Sequence, residues 1–190
     1  MIESIYRLLI TGTHGCGKST LSHRICSELK KSGRNALVLS ETARESPFPI
    51  NKSQTENATF YIAMKQAVKE LEAIAHGYAY LVLDRGMLDS FAYSEATRSH
   101  GASRLEKSLL ATAIEWTNNY NKIIFLKNDL SVLDADGVRD TDLEFAMKIE
   151  KIFEKLLREI FLNKLTILSY SQARDSKISI DKSGDVILTT

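Results

Sequence analysis

A chain of 190 residues with 44% apolar and 26% charged side chains has ordinary globular composition and enough apolar surface for a full core, most economically as one domain over 1–190. Its net charge of +1 supplies no overall field to recruit nucleic acid or an anionic membrane, so any anion specificity must be local. The longest apolar run, Tyr78–Leu83, is far too short to span a bilayer, the first residues show no secretory pattern, and two cysteines make no disulfide framework; the expectation is a soluble, cytoplasmic protein.

The elements alternate along the chain. "YRLLIT" (6–11) reads as a strand, Lys18 to Ser32 as a helix closed by Gly33, and "NALVLS" (35–40) as a second strand. Ser53 and Glu56 form a capping-box pattern before a helix with Phe60, Tyr61, Met64, Ala67, Val68, Leu71 and Ile74 at helical spacing. "YAYLVLD" (78–84) is apolar throughout, as a strand covered on both faces would be. A short helix is predicted over Leu88 to Arg98, and another, boxed by Ser103 and Glu106, to about Asn118. "KIIFLK" (122–127) is a fourth strand. Thr141 and Glu144 box a long helix with Phe145, Ile149, Ile152, Phe153, Leu156, Leu157 and Ile160 inward, and "LTILS" (165–169) is a fifth strand. This order predicts an α/β fold with an open parallel sheet of about five strands flanked by helices on both faces. The tail, "KISIDKSGDVILTT", fits a hairpin over about 178–189, an added edge strand or a dimer contact, leaving a homodimer open.

Between the first strand and helix stands "GTHGCGKST". Gly12, Gly17, Lys18 and Ser19 match G-x-x-x-x-G-K-[ST], in the strand-to-helix setting that its mechanism requires. The glycines let backbone N–H groups of Gly12, Thr13, His14, Gly15, Cys16, Gly17 and the first helical residues, through Thr20, converge on phosphate oxygens. Lys18 would reach the β- and γ-phosphates, and Ser19 would ligate Mg²⁺. His14 and Cys16 occupy variable positions of the loop and read as packing groups.

A phosphate loop names a nucleotide, not a reaction. Open α/β sheets bind ligands beyond the carboxyl ends of their strands. Asp84 ends the third strand, where a carboxylate can hold the metal through water. Glu41 and Arg44 follow the second strand, Arg85 the third and Arg139 the fourth, so three arginines and two carboxylates fall on one edge. Phe60, Tyr61 and Tyr93 are aromatics that could stack on an acceptor base or pack in the core.

"DRGMLDSFAY" (84–93) resembles the Asp-Arg segment of thymidylate-kinase-like and deoxynucleoside-kinase-like proteins, and "DGVRDTD" resembles their arginine-bearing lid. With "ETARESPFP", the chain over about 5–170 is similar to the small AAA-labelled P-loop domains that include the ribosylnicotinamide-kinase half of bifunctional NAD regulators. The resemblance implies a P-loop kinase fold, ATP (or GTP) with Mg²⁺, and phosphoryl transfer to a nucleoside- or nucleotide-like molecule. It also implies a lid at about 128–140 from which Arg139 reaches the transferred phosphoryl group. Thr42 stands where nucleoside kinases usually carry proline, and Gly86 where thymidylate kinases usually carry tyrosine.

The acceptor stays open on the residues alone. A hydroxyl needs a base, for which Glu41 is the candidate; a monophosphate needs arginine clamps, for which Arg44 and Arg85 are candidates. A nucleotide-binding switch with little turnover is the alternative reading. A kinase acting on nucleic-acid ends is disfavoured by the neutral charge balance.

Overall fold

Successive strand residues face opposite sides of a sheet, so strands apolar at nearly every position require cover on both faces. The computed structural model, which describes residues 5–128 and 143–190, has that arrangement. Strands β1 (Tyr6–Gly12), β2 (Ala36–Leu39), β3 (Tyr80–Asp84), β4 (Lys122–Lys127) and β5 (Leu165–Ser169) form a parallel sheet in the order β2-β3-β1-β4-β5. The helices are α1 (Lys18–Lys31), α2 (Glu56–Ala75), α3 (Asp89–Thr97), α4 (Arg104–Asn118), α5 (Leu143–Phe161) and α6 (Tyr170–Asp175). Leu8, Ile10, Val82, Ile124 and Leu126 pack with Leu21, Ile25 and Leu29 of α1 and with Ala173 of α6. Leu9, Leu81, Leu83, Ile123 and Phe125 face the other way, onto a larger core built from α2, α3, α4 and α5. The anticipated three-layer fold is present. No described helix is long and apolar enough to cross a membrane.

The sheet order places β1 between β3 and β4, so the loop leaving β1 opens where neighbouring crossovers diverge. Parallel register sets Ile10 beside Asp84 and Gly12 beside Leu126, which brings the carboxyl ends of the three central strands to one rim.

Three details depart from the sequence reading. The cap of α2 is Thr55, in extended conformation, whose hydroxyl accepts from the Ala58 amide at 3.2 Å. Ser53 closes a short 3-10 turn (Asn51–Ser53), which takes it out of capping register, and Glu56 instead accepts from the Ser103 hydroxyl. The buried stripe of α2 runs through Ala58, Ile62, Ala63, Gln66, Glu70 and Ala73, leaving Phe60, Val68 and Leu71 exposed. A charged group can lie in that stripe because Tyr120, Trp116 and Gln66 all donate to Glu70, at 2.7, 2.9 and 3.3 Å. On α5 it is Phe161, not Ile160, that enters the core beside Ile149, Phe153 and Leu157. Thr141 of the expected capping box lies outside the described residues.

Residues 170–175, to which the sequence pattern assigned no element, form α6. Its first turn holds a full capping box, with the Ser169 hydroxyl accepting from Gln172 N and Gln172 Oε1 accepting from Ser169 N. Its last turn is fixed by Arg24 of α1, which donates to the carbonyls of Ala173, Arg174 and Ser176 at 2.7–3.0 Å.

The tail forms its own antiparallel pair, β6 (Lys177–Ile180) with β7 (Val186–Thr189), and does not extend the main sheet. The turn between them is closed by Asp181, which accepts from Ser183 Oγ at 2.6 Å and from Asp185 N at 2.8 Å. It docks on the amino-terminal rim of the sheet, where the Tyr6 hydroxyl donates to Asp185 and Lys122 Nζ donates to the Val186 carbonyl at 2.6 Å. Burial, reinforced by the Asp185 contact, pushes the Tyr6 hydroxyl well above its ordinary pKa.

Gly184 sits in that turn at φ 89°, where a Cβ would stand 2.2 Å from the Tyr80 hydroxyl oxygen. Gly184→Ala should therefore destabilise the protein by about 1–3 kcal/mol, through backbone strain and displacement of the hairpin. Denaturant unfolding followed by circular dichroism would measure it, and an unchanged midpoint would show that the hairpin contributes no stability.

Candidate functional site

The loop Gly12–Ser19 is shaped by backbone that only glycine adopts readily. Gly12 has φ 146°, and a Cβ there would lie 2.3 Å from the Leu126 carbonyl oxygen of the adjacent strand. Gly17 caps α1 in the left-handed region at φ 82° with no side-chain capping bond, so the first amide groups of α1 have no capping side chain and open toward the loop. Its α-carbon passes so close to Tyr170 that a Cβ would meet the ring at 2.9 Å. Thr13, Cys16 and Lys18 are buried, whereas Ser19 and Thr20 are exposed at the start of α1; His14 and Gly15 are half-buried.

Lys18 folds back onto its own loop. Its ammonium donates to the Thr13 carbonyl and lies 3.5 Å from Cys16 Sγ, and burial, together with the nearby Arg85 charge, lowers its pKa. The Cys16 thiol also points to the Thr13 carbonyl, at 3.0 Å, which makes it a packing group of the loop. The Asn128 amide, at the end of β4, donates to the Thr13 hydroxyl. Ser19 donates to Asp84 across the rim, so two hard oxygen ligands lie in contact beside the phosphate loop. That donor pair suits Mg²⁺, which favours oxygen ligands and retains several waters. No group of three or more His, Cys, Asp or Glu side chains that could hold a metal occurs among the described residues.

Arg85 follows β3 with φ 82°, uncommon for a residue with a side chain. The turn is fixed by its amide, which donates to the Ile10 carbonyl at 3.0 Å, and it buries the guanidinium beneath the rim. There Nη1 reaches the Gly12 carbonyl at 3.3 Å and Asp89 Oδ1 at 3.2 Å, and Nη2 reaches the Tyr93 hydroxyl at 3.3 Å. Nε lies 2.8 Å from Glu41 Oε1, a close ion pair without hydrogen-bond alignment. Burial works against the charge, but Tyr93, Glu41 and Asp89 outweigh it and hold the arginine firmly protonated. Asp89 also accepts from Gly86 N at 2.8 Å and from Thr11 Oγ1 at 2.9 Å. Burial pushes its carboxyl up, and Arg85, the Gly86 amide, Lys18 and Thr11 pull against that rise.

Beside this cluster is a small cleft, with about 20 Å³ open to a water-sized group. Glu41, Arg85 and Asp89 form its charged wall, and Asn51, Gln54 and Ile62 are among its other lining residues. Gln54 spends both amide protons inside the protein, on Ser90 O at 2.7 Å and Thr59 Oγ1 at 2.9 Å.

Of the acceptor-side candidates, Glu41 and Arg85 are brought together here. Arg44 is not: its side chain is 87% exposed, 3.6 Å from Glu41, and outside the cavity lining. Tyr61 also lies outside the lining, packed edge-on against Phe48 and beneath the Lys65 ammonium. Arg139 and the lid beyond residue 128 fall outside the described residues. Asp89 was missed, although its place four residues after Arg85 on a helical start is the spacing of a side-chain pair. Gln54 and Asn51 carried no signal, since nothing local distinguishes them from solvated turn residues.

A glycine-shaped loop after the central strand of a β2-β3-β1-β4-β5 parallel sheet defines a P-loop protein with the nucleoside- and nucleotide-kinase-like fold. The chain belongs to the AAA-domain family, whose pattern matches residues 7–173. No curated protein sequence matches it. Among solved structures it is similar to deoxyadenosine kinase from M. mycoides with bound dATP, at TM-score 0.60 and 19% identity over 87% of this chain and 91% of that one. It is similar also to thymidylate kinase from Ehrlichia chaffeensis, at TM-score 0.63 and 16% identity over 87% of each chain. NadR protein in complex with NR aligns at TM-score 0.65 and 17% identity, over 88% of this chain and 46% of that one.

Breaking a buried ion pair by removing one partner costs about 3–5 kcal/mol. Asp89→Ala, which leaves Arg85 buried with Glu41 as its remaining carboxylate, should lower stability by about that amount, measured as a fall in the denaturant midpoint. A change under about 0.5 kcal/mol would mean that Asp89 is not what holds Arg85.

Proposed function

We propose that the protein transfers the γ-phosphoryl group of ATP, with Mg²⁺, to a nucleoside- or nucleotide-like small molecule. One observation carries this reading: Arg85 joins the phosphate loop to the cavity, touching the Gly12 carbonyl on one side and Glu41 on the other. Donor and acceptor sites would therefore share a wall, as direct transfer requires. The fold shared with deoxyadenosine and thymidylate kinases supports it, and the dATP bound to the first supports a purine nucleotide as ligand.

In this reading, amides of the loop and of the first turn of α1 bind the phosphates. Lys18 turns its ammonium toward the β- and γ-oxygens; with three donors, it can do so while keeping Thr13 as a partner. Ser19 and Asp84 would hold Mg²⁺, the serine directly and the aspartate through water, which neutralises charge on the phosphates. Glu41, oriented by Arg85, faces the cavity from which an acceptor would approach. A switch without an acceptor would have no use for a carboxylate so placed, and needs instead a positioned water.

Lys18→Ala should reduce ATP turnover at least about 100-fold while circular dichroism shows the fold retained. Glu41→Gln keeps the shape of the side chain but cannot take a proton, so ATP affinity should persist while kcat falls about 100-fold or more. Calorimetric ATP titration beside steady-state turnover on the best acceptor found would separate binding from chemistry. Full turnover in Lys18→Ala would remove the nucleotide assignment, and full kcat in Glu41→Gln would remove the base.

A further inference from the structure

The electrostatics of the cavity discriminate between the two kinds of acceptor that a kinase of this fold could use. We propose that the acceptor is an uncharged or cationic alcohol, phosphorylated on its hydroxyl, and not a phosphate monoester. This rests on the phosphoryl-transfer reading above and specifies the chemistry of its second substrate.

A monoester brings about −1.5 to −2 charges near pH 7 and must be met by free cationic donors. Arg85 is the one cation among the described lining residues, and each of its three nitrogens already has a protein oxygen within 3.3 Å. A phosphate could reach Nε or Nη1 only by displacing Glu41 or Asp89, which would then stand unpaired beside the incoming anion, and could reach Nη2 only at the Tyr93 hydroxyl, between those two acids. The charged wall holds Glu41, Asp89 and Arg85, so with both acids ionised its net charge is −1, and with Asp89 protonated it is zero. Neither state attracts a dianion.

The cations nearby do not alter this balance. Arg44 is solvated and leans toward Glu41, while Lys65 and Lys69 both clasp Glu45, the first at 2.7 Å. Lys18 is turned into the phosphate loop. The remaining polar lining includes the side chains of Asn51, Gln54 and Ser90, which suit an uncharged polar ring system better than an anion. The fixed amide of Gln54 has only its carbonyl oxygen left to offer, so a ligand group meeting it must donate a proton.

The same geometry accounts for the chemistry that a hydroxyl demands. Its O–H bond breaks and the proton passes to Glu41. The freed oxygen bonds to the γ-phosphorus of ATP as the bond from that phosphorus to the β,γ-bridging oxygen breaks, and the electron pair leaves with ADP. A monoester acceptor would need no such base, and a carboxylate held at its entry would repel it.

The test uses the full chain with matched pairs: nucleosides, including a riboside with a cationic base, and the 5′-monophosphate of each. Binding is read by calorimetry without ATP, and conversion by mass spectrometry with ATP and Mg²⁺. At least one alcohol should bind about tenfold or more tightly than its own monophosphate and be the member converted. A monophosphate that binds more tightly, or is the one converted, overturns this inference and leaves the kinase reading standing. So does ATP binding with neither set recognised. If ATP is neither bound nor consumed, the kinase reading fails and this inference fails with it. In Glu41→Gln, the affinity for a monophosphate relative to its nucleoside should rise about tenfold, because one repelling charge is gone. An unchanged ratio would show that the cavity charge does not select the acceptor.

Discussion

A guanidinium taken out of water costs several kcal/mol unless protein groups replace its hydration, and the arrangement of this site follows from meeting that requirement at Arg85. Its side chain is 10% exposed, and its partners come from β1, from the loop after β2 and from α3. None of those segments could supply the others' contacts by local folding. The backbone of Arg85 is held at φ 82°, a conformation sustained only because the Ile10 carbonyl, Asp89 and Glu41 together over-determine it. The phosphate loop, the cavity wall and the start of α3 are thereby one electrostatic unit.

That unit explains why the two halves of the site have different characters. On the phosphate side, the open backbone amides at the start of α1 and Lys18 lie beside the Ser19 and Asp84 pair, with Asp89 also acting on Lys18. On the cavity side, Arg85 is consumed by Glu41 and Asp89, so the wall is neutral or acidic. In the proposed reaction a polyphosphate would be drawn to the loop, and the cavity would be left for something without phosphate.

Away from the site, tertiary contacts join regions distant in the chain. The hairpin fastens residues 177–189 to Tyr6, Tyr80 and Lys122 on the rim opposite the phosphate loop, and Arg24 ties the end of α6 to α1. Through α6, Tyr170 is pressed against Gly17, so the loop's glycine is set by a side chain more than 150 positions away as well as by its own conformation. The acid in α2, Glu70, is likewise tolerated only because Tyr120 and Trp116 arrive from the α4 side of the fold.

The sequence by itself determined whatever depends on neighbours within a turn or two. Apolar runs gave the strands, helical spacing and capping residues gave most helices, and Gly12, Gly17, Lys18 and Ser19 gave the phosphate loop, because local backbone conformation and local hydrogen bonds are encoded locally. Local signals failed where burial was decided from afar: the stripe of α2 was misplaced because Gln66 and Glu70 are polar yet buried, and Ser53 lost its cap to a turn formed by the preceding residues. Only the tertiary structure decided that Arg85 pairs with Glu41 and Asp89, that Arg44 stays in solvent, and that the cavity carries no net positive charge. An ion pair depends on distance and on the water excluded around it, and both are set by how strands and helices far apart in the chain come to rest against one another.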